Sequence, residues 1–136
     1  MRIMAVDYGD VRTGLAVSDL TGTIAGDAWV IEERNARLVA ARILAEAQSR
    51  EVSTVVLGNP KNMDGTLGPR AEKSAALAEL LRAQGATVVL WDERRTTIDA
   101  HRILFDAGKN GRQRKKNVDA VAATLILEGY LASINN

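Results

Sequence analysis

The chain has 136 residues, no cysteine, one histidine and a net charge of +1. A chain of this size buries roughly two-thirds of its unfolded surface, so one domain (residues 1–136) with a self-sufficient core is expected. The missing cysteine excludes thiolate zinc sites, thiol nucleophiles and disulfide frameworks. No apolar run reaches the roughly 18 residues of a membrane span, and no basic-then-apolar leader opens the chain, so a soluble, cytoplasmic protein is expected.

Residues 2–7, RIMAVD, form a short apolar run suited to a buried strand. Tyr8-Gly9-Asp10 supplies turn chemistry, and residues 14–19, GLAVSD, return as a second strand. The connecting loop carries Arg12 at its tip. A third strand is expected near residues 28–32. Asn35 is suited to cap a helix over 36–50, whose Val39, Ala40, Ile43, Leu44 and Ala47 follow helical spacing. Residues 52–57, free of charge and rich in β-branched side chains, read as a buried parallel strand.

Residues 58–69, GNPKNMDGTLGP, are a loop dense in turn residues. A helix over 70–84 follows, with Gly85 as its left-handed cap, and residues 86–91 are a fifth strand. Thr96 or Thr97 caps a helix reaching 107. The polar, basic stretch 108–116 reads as a mobile loop. Asn117 then caps a last helix to 132, with Val118, Val121, Ala122, Leu125 and Ile126 as its buried stripe.

Three strands joined by hairpins, then two reached by helical crossovers, give an α/β fold. Right-handed crossovers from the first strand predict a mixed five-stranded sheet of order 3-2-1-4-5 with helices on both faces. Ligands of such sheets gather at the carboxyl ends of the parallel strands. Asp7 ends the first strand there, and Glu93 lies just past the fifth. Strand alternation turns Glu93 and Asp92 to opposite faces, so only one of them can share a site with Asp7. Asp119 falls in the first turn of the last helix, where the dipole favours an ionised carboxylate.

Three converging carboxylates are the ligand set of a hard cation, Mg²⁺ or Mn²⁺. Two such ions about 4 Å apart clamp a phosphodiester and activate water without a protein nucleophile. Each acid taken alone also has a plainer role: Asp7 as a turn former, Glu93 as an ion-pair partner, Asp119 as a helix-start acid. His101 is not needed as a base for metal-activated water. Ser18 lies outside any nucleophile elbow, and the glycine-rich loop lacks the Walker pattern.

Eight of the eighteen basic residues lie between Arg94 and Lys116, opposed only by Asp99 and Asp106. Such a stretch suits a polyanion, or else a solvated helix and loop. Arg12, Asn59, Arg94, Arg95, Lys115 and Lys116 are the candidate substrate-binding residues. At 4% aromatic content, broad base-stacking platforms are not expected.

AVDYGDVRTGLAVSD (5–19), VVLGNPKNMDGT (55–66), WDERRTT (91–97) and KNVDAVAATLILEGYL (116–131) occur in this order. Together they resemble the YqgF (RuvX) family along nearly the whole chain. The resemblance implies an RNase H-like fold related to RuvC resolvases, and a nuclease processing the 5′ end of pre-16S rRNA. Older descriptions make the family Holliday junction resolvases. It implies Asp7, Glu93 and Asp119 as the acidic site, and selects Glu93 over Asp92. Arg95 and Asn59 depart from leucines frequent in the family.

Three functions follow as expectations. The first is a metal-dependent endonuclease acting on pre-rRNA, in contact with a ribosome or pre-ribosomal particle. The second is a resolvase of branched DNA, which must act as a homodimer rather than a monomer; Trp29 or an exposed helix face is the candidate dimer surface. The third is a nucleic-acid-binding module without catalysis. DYGDVRTG also resembles the phosphate loop of actin-like ATPases, but those need two such domains around the nucleotide.

Overall fold

The computed structural model describes residues 1–60, 68–92 and 111–135, and of 111–117 the backbone alone. The strands are β1 (Arg2–Asp7), β2 (Arg12–Ser18), β3 (Ala25–Glu32), β4 (Val52–Asn59) and β5 (Val88–Asp92). The helices are α1 (Ala36–Ser49), α2 (Pro69–Ala83) and α3 (Gly111–Ile134). The sheet order is β3-β2-β1-β4-β5, as expected. β1 pairs antiparallel with β2 and parallel with β4, so β1 is central.

Strand alternation divides the core into two layers. On one face Met4, Val6, Leu15, Val17, Val55 and Leu57 pack against Val39, Ile43, Leu77 and Leu81 of α1 and α2. On the other, Ile3, Ala5, Ala16 and Val56 pack against Ala123, Ile126, Leu127 and Leu131 of α3. Small residues on the second face bring α3 close to the sheet.

Local signals explain most boundaries. The Asn35 carboxamide accepts from the backbone N–H groups of Arg37 (2.9 Å) and Leu38 (3.2 Å), capping α1. At the end of α2, Gly85 has φ of +93°. Its N–H donates to Arg82 O and that of Ala86 to Leu81 O, closing the helix with a left-handed turn. That closure claims Ala86, so β5 starts at Val88 rather than at 86.

Two expectations are corrected. The stretch 111–116 is not a loop: α3 begins at Gly111, so Asn117 lies inside the helix and does not cap it. The segment is polar, but arginine, glutamine and lysine are good helix formers. Asp119 is therefore in the third turn of α3, beyond the reach of the helix dipole. Trp29 of β3 is partly exposed. Its ring packs on the core, and the Arg50 guanidinium lies 3.9 Å above it. The predicted helix 96–107 and His101 lie outside the described residues. Among the described residues, no helix is long and apolar enough to cross a membrane.

Candidate active site

Asp7 is the last residue of β1. It follows Ile3 and Ala5 in the alternation, so it belongs to the α3 face. Its neighbour in register on β2 is Gly14. A Cβ at Gly14 would lie 1.9 Å from the backbone oxygen of Asp119 and 2.4 Å from its carbonyl carbon. Only glycine lets the α3 backbone rest on the sheet at this point. The same contact puts Asp119 beside Asp7, so a missing side chain on β2 builds the acid pair.

Arg12, two residues before Gly14, shares its face. Its Nε lies 3.6 Å from Asp119 Oδ2, with both side chains partly exposed. Asp7 is only 6% exposed. Burial, foremost, and the negative charge of Asp119 push its carboxyl up to about 6, against a smaller opposing effect from Arg70. Burial and the neighbouring negative charge both disfavour the ionised form of Asp7, and a cation bound beside the two acids would offset both effects. Both groups are hard oxygen donors, which fits Mg²⁺ or Mn²⁺. Among the described residues no third acid joins them.

The remaining predicted residues divide. Glu93, Arg94 and Arg95 lie outside the described residues. The strand before them ends at Asp92. Val89 and Trp91 of β5 pack on the α3 side, so Asp92 alternates to the opposite face from Asp7. Trp91 is held edge-on to Tyr130, with ring centroids 5.8 Å apart at 87°, and it sits over Gly129. This anchors the end of β5 to α3. Lys115 and Lys116 lie on α3 about one turn before Asp119, their backbone alone described. Asn59 ends β4 and is 6% exposed, and among the described residues its Oδ1 has no hydrogen-bond partner. It follows Val55 and Leu57 on the α1/α2 face, so it does not join the acid pair from the α3 side.

Two cations were not foreseen. Arg70, in the first turn of α2, donates from Nη2 to Tyr8 O at 3.2 Å. Lys73 Nζ donates to Asp10 Oδ1 at 2.8 Å. A cation in a helix's first turn opposes the dipole. That mismatch at Arg70 was the signal available in the sequence.

Residues 1–133 match the family model described as "RuvX: Holliday junction resolvase". The chain belongs to the RuvX family. This RuvX chain is 43% identical over 132 residues to the "Putative pre-16S rRNA nuclease" of Halothermothrix orenii, covering 96% of this chain and 94% of that relative. Its fold is similar to that of Thermus thermophilus RuvC, with a TM-score of 0.57 at 14% identity over 99% of this chain and 97% of the other. The Fowlpox virus Holliday junction resolvase superposes with a TM-score of 0.62 at 15% identity, over 98% and 99% of the two chains. At such identities these two structures establish the RNase H-like fold alone.

Proposed function

We propose that this chain is, as one domain, a metal-dependent endonuclease that processes the 5′ end of pre-16S rRNA in the cytoplasm. The observation that carries the reading is the pairing of buried Asp7 with Asp119 at the carboxyl end of the central strand. The family membership and a relative named for pre-16S rRNA support nucleic acid as the substrate.

Asp7, Asp119 and Glu93 would hold Mg²⁺ or Mn²⁺. Such a cation would supply an activated water and charge stabilisation for the leaving oxygen. Asp7 fixes the position of the site, since it is buried at the end of a strand paired on both sides. Asp119 is carried by α3 and set by its contact with Gly14. Arg12 neutralises Asp119 in the free protein and turns to a substrate phosphate when that carboxylate is engaged. Arg94, Arg95, Lys115 and Lys116 hold flanking phosphates, and Asn59 offers its amide oxygen to a donor on the substrate.

The likeness to resolvases and the family description keep one second reading open, cleavage of branched DNA by a homodimer. The test offers a pre-rRNA leader and a four-way DNA junction to the purified protein with Mg²⁺ or Mn²⁺. Cleavage of the leader supports the proposal, and cleavage of the junction alone replaces it by the second reading.

A further inference from the structure

On the α1/α2 side of the sheet edge lies a cleft of about 350 Å³. It opens between the start of α1 and the first turns of α2. Tyr8, the residue after Asp7, lines it, together with Arg34, Lys73, Asp10, Ala36 and Ala76. Its volume falls within the roughly 300–1,000 Å³ of small-ligand sites. An aromatic ring, two cations and small alanines are what a flat base with a phosphate requires.

We propose that this cleft takes the base of the nucleotide next to the scissile phosphate, stacked on Tyr8. The inference rests on the nuclease reading above. Asp7 and Tyr8 are consecutive and face opposite sides of the sheet, so a single strand crossing the sheet edge passes from the acid pair into the cleft. Arg70 stands at that crossing. It is anchored to Tyr8 O, and its charge is felt at Asp7. That hydrogen bond uses one of the five guanidinium N–H groups, and the fork geometry suits the phosphate between the two sites.

The charges lining the cleft suit an anion on exchange. Lys73 and Asp10 pair at 2.8 Å, but both side chains are well exposed. Such pairs add little to stability and yield to a stronger partner. Arg34, just before α1, also lines the cleft. One such stacking site agrees with the low aromatic content, which argues only against a broad platform.

The test is binding of single-stranded RNA to the full chain in EDTA, where cleavage is stopped. Tyr8→Leu keeps apolar bulk but removes the stacking face. Affinity is expected to fall about ten-fold or more, within the range of a single lost base stack, while the salt dependence stays as in wild type. Ala76→Leu, at a helical position lining the cleft, fills it from the α2 side and covers the case in which the Tyr8 variant is unstable. It is expected to weaken binding by a similar factor. A 2-aminopurine placed at the flanking nucleotide is quenched by wild type and not by folded Tyr8→Leu. Unchanged RNA affinity in folded Tyr8→Leu and Ala76→Leu overturns the inference and leaves the nuclease reading standing. Wild type that binds no RNA removes both.

Discussion

Replacing Asp7 by asparagine should make the metal-free protein more stable while removing its activity. The folded state raises the Asp7 carboxyl from 3.8 to about 6. Folded protein therefore holds this proton more tightly than the unfolded chain does. The stability linked to it is full below about pH 4 and is lost as pH rises through about 6. At pH 7 the ionised group costs about 3 kcal/mol relative to an unperturbed one. The asparagine escapes that cost but leaves an amide to be satisfied. A net gain of roughly 1–3 kcal/mol remains, or about 3–10 °C in Tm for a domain of this size. Thermal unfolding in EDTA at about pH 7.5 and about pH 4.5 reads the effect. The variant should lead at the higher pH and lose its lead at the lower one. Adding Mg²⁺ should raise the Tm of wild type and leave that of the variant nearly unchanged. A pH-independent difference, or a variant less stable at the higher pH, would refute the buried-carboxylate reasoning.

Further outcomes follow from the same geometry. Gly14→Ala drives a methyl into the Asp119 backbone; overpacking should cost about 1–3 kcal/mol, and cleavage should fall more than ten-fold even where the protein is still folded, measured by Tm and single-turnover rate. Arg12→Ala removes a partly exposed ion pair, so unfolding should shift by less than about 1 kcal/mol while RNA affinity drops. Lys115→Ala combined with Lys116→Ala should weaken RNA binding and lower the slope of log affinity against log salt by about 1.4 for two single-strand phosphate contacts; an unchanged slope would show that neither lysine meets a phosphate.

The fold was legible because its strands announce themselves. β1 and β4 are nearly continuous apolar runs, and the two-sided burial seen for Ile3 to Val6 is what such runs imply. The sheet order followed from the handedness of crossovers and the central place of β1. Asp7 was legible for the same reason, as a carboxylate at the end of an otherwise apolar strand. The approach of α3 was not. It depends on Gly14, which in sequence is one glycine of eleven and acquires meaning only when the Asp119 backbone lies over it. The start of α3 was not legible because a polar stretch reads as a loop, whereas arginine, glutamine and lysine also form helix well. Arg70 and Lys73 were passed over because their relation to the β1–β2 turn spans more than sixty residues of chain. Asp119 was expected in the first turn of the last helix; it lies in the third, and the contact with Gly14 is what sets it beside Asp7.

The most direct test of the account is cleavage of a pre-16S rRNA leader by wild type, Asp7→Asn, Glu93→Gln and Asp119→Asn, each purified identically and assayed with Mg²⁺ or Mn²⁺. Wild type should make cation-dependent endonucleolytic cuts near the mature 5′ end, and every variant should lose roughly a hundred-fold or more. Full activity in folded Asp7→Asn would contradict the account.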